Sequence, residues 1–226
     1  MGKPNFIKKL SPMRMKKMEK IILQMPEIRK GKGIWQNTFH EFDVYNHTIK
    51  CVKYLKTLTS DPEMIVAGYF HDIAKPVNTK PLYLNGKLQK KKDGKNYHEF
   101  EGHEMVGEKI VNKMNPAFFV SNDLNQKRIA KLVGAHYLPM RGIKSMRKAK
   151  NIQEFKKRYL KMIKTLKNTR LPIQDIILMF LADNLAKGKF CKDKKELLAI
   201  RSSILTDKPS LEELYNLQKR IYGGKK

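Results

Sequence analysis

Hydrophobic positions recur at helical spacing along most of the chain, and this spacing predicts a series of helices. Two such runs follow Asp43 and Asp61, which can cap helix N-termini, and Pro62 favours the first helical turn of the second run. Further helical patterns cover residues 101–114, 123–135, 151–168, 172–186, 193–204 and 210–221. The pattern predicts a mostly α-helical domain without internal repeats.

Two basic segments stand apart from these runs. Residues 1–20 alternate apolar and basic positions, which predicts a basic amphipathic helix that packs on the domain and ends before Pro26. Residues 139–150 combine proline and glycine with several basic side chains, so this segment is predicted to form a basic connector.

Residues 77–97 are the one stretch with a plausible β pattern. The turn signal Asn85-Gly86 lies between short apolar runs and predicts a small β-hairpin near residues 82–90. The lysine-rich residues 90–95 favour a flexible basic loop equally well. Both alternatives stay open at the level of the sequence.

Length and cysteine content exclude several classes of protein. The chain has 226 residues, enough for one sizeable domain, and its two cysteines exclude both a disulfide scaffold and a cysteine-based zinc site. The longest apolar stretch, residues 176–182, is far shorter than the ~20 residues that span a bilayer. No apolar signal-peptide core opens the sequence. We expect a cytoplasmic protein without a membrane span.

The charge balance is strongly basic. The 48 Lys and Arg residues exceed the 21 acids, giving a net charge of +27. Such an excess suggests a polyanionic partner, such as nucleic acid, or a phosphorylated substrate. A lysine-rich composition is the alternative, since lysines number 39 and arginines 9.

Polar side chains interrupt the two most apolar runs of the chain. His71 and Asp72 end one run, and Asp183 ends the other. Burying such groups costs free energy unless a donor, a cation or a metal ion compensates. A salt bridge to one of the many lysines is the simpler alternative for Asp183.

These residues resemble the motifs of a known family. His71-Asp72, followed by Ile-Ala-Lys-Pro, resembles the signature doublet of the HD-domain metal phosphohydrolases. His47 resembles the upstream ligand of that family, and Asp183 its distal aspartate. The two further histidines of members that hold two metals have counterparts in His103 and His136. These matches occur in the family's order within residues 40–188.

The resemblance implies an all-α HD-domain helical bundle. Its HD-type core would cover residues 37–190. Residues 1–36 would form a basic N-terminal helix and loop packed on that core, and residues 191–226 would add C-terminal helices of the same domain.

The resemblance also implies one or two bound divalent metal ions. The first ion would be held by His47, His71, Asp72 and Asp183. His103 and His136 would complete a second site, with Asp72 bridging the two ions and acting in catalysis. Nitrogen and oxygen ligands suit Mn²⁺, Fe²⁺, Co²⁺ or Ni²⁺ better than Mg²⁺, which is the alternative.

Two further residues are expected to act near these ions. Lys75 would act in catalysis by neutralising a phosphate oxygen, as the family's HD-x-x-K pattern implies. An ordinary solvated lysine is the alternative. His40 is a candidate substrate-binding residue, in contact either with the substrate or with the ligands.

Within the family, the local motifs around His103 and Asp183 look like those of bacterial CCA-adding tRNA nucleotidyltransferases and poly(A)-polymerase-like proteins. We expect no nucleotidyltransferase head in this chain. The resemblance implies a phosphodiesterase or phosphatase acting on nucleotides or on RNA ends such as 2′,3′-cyclic phosphates. A hydrolase of free (d)NMP or (d)NTP, and a basic nucleic-acid-binding module with a structural metal site, are the alternatives.

Overall fold

The computed structural model describes residues 10–191, 194–205 and 210–222, and most of these residues are helical. The helices are α1 Pro12–Gln24, α2 Pro26–Arg29, α3 Val44–Leu58, α4 Pro62–Phe70, α5 His103–Lys113, α6 Pro116–Ser121, α7 Gln126–Ala135, α8 Leu138–Arg147, α9 Ile152–Asn168, α10 Ile173–Leu185, α11 Lys194–Leu205 and α12 Leu211–Tyr222. The strands are β1 Lys80–Pro81, β2 Tyr83–Leu84, β3 Lys87–Leu88 and β4 His98–Glu99. The predicted all-α class is confirmed.

The centre of the bundle is formed by α3, α4, α7 and α10. Helix α3 packs on both α4 and α10, and α4 also packs on α7. Helices α4 and α10 are apolar around most of their circumference, and every residue from 176 to 184 is buried. A helix that is apolar on all sides is stable only when neighbours surround it, so these two helices occupy the interior.

The capping residues that the sequence indicates begin α3 and α4. The carboxylate of Asp43 accepts a hydrogen bond from the backbone N–H of Asn46 at 2.8 Å. The carboxylate of Asp61 accepts one from the backbone N–H of Glu63 at 2.9 Å. Both satisfy backbone donors that a helix N-terminus leaves without intrahelical partners.

Two glycines allow helices that carry or adjoin predicted metal ligands to approach each other closely. A Cβ atom at Gly68 would overlap the side chain of Leu55, where α4 meets α3. A Cβ atom at Gly107 would lie 2.9 Å from Cγ1 of Val133, where α5 meets α7. The absence of a side chain at both positions therefore brings neighbouring helices together.

The β-hairpin alternative is confirmed. Strands β2 and β3 pair antiparallel around a turn in which Asn85 and Gly86 both have positive φ, at 50° and 73°. Two positive φ angles are typical of the two-residue turns that match the twist of a hairpin. A second antiparallel pair, β1 with β4, was not predicted.

The predicted basic connector over residues 139–150 is wrong, since α8 covers most of it. Met140, Ile143 and Met146 recur every three residues on α8 and are buried. The basic side chains between them obscure this apolar stripe in the sequence. Helix α6 was also missed, because six residues are too few to show helical periodicity.

The predicted N-terminal helix corresponds to α1, whose Met18 and Ile22 are buried in the core. Residues 1–9 of that prediction lie outside the described residues. Among the described residues, none of the helices has the length and apolar character needed to cross a membrane. The division of the chain at residues 36 and 190 stays a prediction.

Candidate metal centre

Helix ends from distant parts of the chain bring the predicted metal ligands together in the interior. One ligand lies in the first turns of α3, a pair directly follows α4, one begins α5, one follows α7 and one lies near the end of α10. All six side chains are buried: His47, His71, Asp72, His103, His136 and Asp183.

The first group of ligands consists of His47, His71 and Asp183. Nε2 of His47 lies 2.9 Å from Oδ1 of Asp183 and 3.4 Å from Nε2 of His71. One potential ligand atom from each of the three residues lies within 4.8 Å of the other two. This spacing is compact enough for one metal ion to contact all three.

The second group consists of Asp72, His103 and His136, which meet the same distance condition. Oδ1 of Asp72 lies 3.3 Å from Nε2 of His103. Oδ2 of the same carboxylate lies 3.2 Å from Nε2 of His71 and 3.6 Å from Nε2 of His47. Asp72 therefore lies between the two groups, as expected of a ligand that bridges two ions.

Backbone carbonyls orient three of the histidine rings in the same way. In each ring Nδ1 lies close to the carbonyl oxygen of the residue three positions earlier. The pairs are His71 with Gly68 at 2.8 Å, His103 with Phe100 at 2.7 Å and His136 with Val133 at 2.6 Å. Because a carbonyl can only accept, Nδ1 donates the proton, and Nε2 of His71 and of His103 lies beside Asp72.

Two buried acceptor atoms favour a cation at this site. Oδ1 of Asp72 and Nε2 of His103 have no hydrogen-bond partner among the residues that the structure describes. Leaving such atoms unsatisfied is costly, and two acceptors facing each other repel. A divalent metal ion between them would satisfy both atoms, so the residues present fit the predicted cofactor.

The electrostatics of the two ligand groups also favour a positive charge between them. Burial lowers the pKa of His71, but the neighbouring carboxylates of Asp72 and Asp183 raise it to about 10. Burial would raise the pKa of Asp72, but the charges of His71 and Lys75 hold it well below its usual range. Burial lowers the pKa of His136 to about 3, which keeps this ring neutral and able to act as a ligand.

Lys75 lies beside the bridging carboxylate. Its Nζ atom donates to Oδ2 of Asp72 at 2.7 Å and to Oε1 of Gln36 at 2.6 Å, and the side chain is buried. His40 lies near the first group, with its ring 5.1 Å from that of His47, centroid to centroid. Gln36 was missed, because a glutamine 39 positions from its partner gives no sequence signal.

The ligands open onto a cleft of about 1070 Å³. Asp72, Lys75, His103, His136 and Asp183 all contribute to its lining, as does His40. The walls also include aromatic and basic side chains that the sequence analysis did not assign to the site: Phe39, Phe100, Tyr137, Arg141, Lys144 and Tyr222. The arrangement combines a buried floor of His and Asp side chains, which could hold a metal ion, with aromatic and basic walls.

The chain is similar to part of one curated protein. The A-adding tRNA nucleotidyltransferase of Deinococcus radiodurans is 28% identical over 120 residues, which cover 52% of this chain and 25% of that relative. The chain thus matches about a quarter of the relative's length. No solved structure matches the chain significantly.

The family comparison covers every predicted ligand. The model of the HD domain family, a family that consists in general of metal-dependent hydrolases, matches residues 44–188. This match spans more than half of the chain and includes both ligand groups. The chain therefore belongs to the HD domain family.

Proposed function

We propose that the protein is a metal-dependent phosphodiesterase or phosphatase that acts on nucleotides or on RNA ends, such as 2′,3′-cyclic phosphates. The observation that carries this proposal is the pair of buried ligand groups joined by Asp72 at the floor of an open cleft. Divalent ions bound there would supply Lewis acidity toward a phosphate and make water a stronger nucleophile at neutral pH.

The protein side chains have separate roles in the proposed reaction. Asp72 holds the two ligand groups together, with one carboxylate oxygen facing each group. Lys75 is held by Asp72 and Gln36, so its ammonium group is fixed before a phosphate arrives and can neutralise a non-bridging oxygen. His40 lines the cleft and contacts the substrate from the side of His47.

The reaction on a cyclic phosphate balances with water alone. The oxygen of water forms a new bond to phosphorus, the bond from phosphorus to one ribose oxygen breaks, and that ribose oxygen receives a proton. The product is a 2′- or 3′-phosphomonoester, which a phosphatase activity of the same cleft would hydrolyse further.

Two observations support RNA ends over other phosphoesters. The similar protein from Deinococcus radiodurans is named for an activity on tRNA. The net charge of +27 also favours a substrate with many phosphates over one with few. Hydrolysis of free nucleotides is the alternative, and it requires none of the basic surface beyond the cleft.

A substrate screen tests this proposal. Protein stripped with chelator is supplied with Mn²⁺, Co²⁺, Ni²⁺ or Mg²⁺ and offered mononucleotides, nucleoside 2′,3′-cyclic phosphates and RNA oligomers that end in a cyclic phosphate. We expect metal-dependent opening of the cyclic phosphates that is lost in Asp72→Ala. Hydrolysis of mononucleotides that RNA does not inhibit would identify the nucleotide hydrolase instead. RNA binding that survives Asp72→Ala, without hydrolysis, would identify the binding module.

A further inference from the structure

The two C-terminal helices form part of the wall of the cleft. Helices α11 and α12 lie beyond residue 188, where the match to the HD domain family ends. Leu197 of α11 and Tyr222 of α12 nevertheless line the cleft that contains the ligands Asp72 and Asp183. This wall therefore belongs to a part of the chain that the family match does not cover.

A buried carboxylate fixes this wall in place. Glu196 is fully buried and accepts hydrogen bonds from Arg147 of α8, from Gln218 at 2.5 Å and from the hydroxyl of Tyr222 at 2.9 Å. These donors together compensate a buried charge, so the network connects α8, α11 and α12 to one another. Tyr222 is thus positioned by contacts with two other helices.

The ring of Tyr222 is held from two sides. The guanidinium carbon of Arg147 lies 3.9 Å from the centroid of the ring, while the hydroxyl is bound to Glu196. The ring is half-buried and contributes to the lining of the cleft. An aromatic ring that is immobilised in advance loses little conformational entropy when it stacks on a ligand.

A second aromatic residue and a lysine line the same cleft. Nζ of Lys144 lies 3.0 Å from the hydroxyl of Tyr137 and 5.6 Å from the centroid of its ring. Lys144 is exposed, so its charge is accessible to a phosphate. The charge of Arg147, by contrast, is matched by Glu196 within the protein.

We propose, on the basis of the proposed function, that Tyr222, Tyr137 and Lys144 form a subsite that binds a nucleobase and an adjoining phosphate of the substrate. The flat rings supply stacking surfaces that accept any base, and the ammonium group attracts the phosphate. Tyr222 is then a selectivity-determining residue that favours nucleotides over simple phosphoesters.

The test compares a substrate that has bases with a shorter one that has none. One is a trinucleotide that ends in a 2′,3′-cyclic phosphate, and the other is methyl riboside 2′,3′-cyclic phosphate, which has no base. Removing one stacking partner in Tyr222→Leu should lower the ratio of kcat/KM for the trinucleotide to that for the riboside about 10-fold. The loss should arise mainly from a higher KM for the trinucleotide.

Two variants serve as controls. Tyr222→Phe keeps the ring, and its ratio should stay within about threefold of the wild-type ratio, because Arg147 and Gln218 still compensate Glu196 and Arg147 still contacts the ring. Asn216→Ala changes an exposed residue of the same helix and should leave both activities unchanged. An unchanged ratio in Tyr222→Leu, or an equal fall in Tyr222→Phe, would overturn the subsite.

Binding measurements separate this inference from the proposed function. The affinity of a fluorescent trinucleotide 3′-phosphate for each variant is measured by anisotropy. A Kd about 10-fold higher for Tyr222→Leu supports the subsite even if the wild-type protein hydrolyses neither substrate, and that failure would then count against the proposed function alone. An equal Kd for wild type and Tyr222→Leu would overturn the subsite in either case.

Discussion

Oδ1 of Asp72 and Nε2 of His103 face each other at 3.3 Å in the interior of the bundle, and both atoms lack a hydrogen-bond partner among the described residues. The Nδ1 atom of His103 donates to the carbonyl of Phe100, so in the neutral ring Nε2 presents a lone pair to the carboxylate. Two acceptors at this distance are compatible when a cation lies between them. This pair therefore connects the His71-Asp72 motif of the sequence with the binding of a cation.

Replacing the bridging carboxylate should remove metal from both ligand groups. We expect Asp72→Ala to lose most of the bound metal and at least about 100-fold in phosphoester hydrolysis, because metal-ligand loss affects binding and chemistry together. The helix content should survive, since the packing of α4 on α3 and α7 is unaffected. Elemental analysis, circular dichroism and a hydrolysis assay measure these three quantities.

The matched control is Asp93→Ala, which removes an exposed carboxylate from the hairpin region. It should keep full metal content and activity. Equal turnover by Asp72→Ala, or full wild-type activity in excess chelator, would contradict a metal-dependent mechanism.

The second ligand group can be tested apart from the first. His103→Ala and His136→Ala should each leave about one metal ion per chain and impair catalysis, because His47, His71 and Asp183 remain in place. Elemental analysis of each purified variant gives the stoichiometry. If active wild-type protein holds a single ion, His103 and His136 are better assigned as substrate contacts.

The charge of Lys75 is expected to matter for the rate more than for metal binding. Lys75→Ala should keep the metal content and lower kcat about 100-fold, the typical loss when one donor to a developing negative charge is removed. Lys80→Ala, at an exposed position on β1, should change neither quantity. A change in KM alone would indicate a binding role for Lys75 without a role in the chemical step.

The excess of basic side chains predicts that the affinity for RNA falls steeply as the salt concentration rises. Each phosphate contact contributes about −0.7 to the slope of log K against log salt for a single strand. Helix α9 exposes Lys157, Lys161 and Lys164. Replacing all three with Gln should make this negative slope shallower by about 2. Hydrolysis of a small phosphodiester should change little over the same range of salt.

The control for this experiment neutralises Lys16, Lys17 and Lys20, which are exposed on α1. It removes the same charge from another part of the surface and should leave the slope nearly unchanged. A shallow slope in the wild-type protein would favour the free-nucleotide hydrolase.

The close contact of α3 with α4 predicts a stability effect at Gly68. Gly68→Ala should lower the free energy of unfolding by about 1–3 kcal/mol, because the added methyl group meets buried Leu55. Urea unfolding measures this loss. The same substitution should cost less in a Leu55→Ala background, where the side chain that it meets is absent. Equal costs in the two backgrounds would contradict the steric explanation.

Local patterns and the family resemblance indicated most of the centre of the site. His71-Asp72 and Asp183 stand out because each interrupts an apolar run, and such interruptions are visible without a structure. His103 and His136 were assigned from motif resemblance, and the structure brings both to Asp72. The start of α3 and the hairpin turn at Asn85 also follow from local rules.

The walls of the site could not be predicted in this way. Gln36 contacts Lys75 across 39 positions, and Tyr222 contacts Glu196 across 26, so both contacts depend on how whole helices pack. The sequence predicts a connector where α8 lies, because the basic side chains of this helix hide its narrow apolar stripe. Long-range packing determines which surface residues face the cleft, and local sequence does not encode it.

The ligands come from helices that are far apart along the chain, and metal loading should therefore stabilise the whole fold. His47 and Asp183, which are 136 positions apart, would be cross-linked by a single ion, as by a disulfide that closes a long loop. An ion that binds only the folded state adds roughly 2.7 kcal/mol at 100 times its dissociation constant. Bound metal would then raise the melting temperature of the protein. The size of this rise would measure how much of the metal site is filled, before any substrate is known.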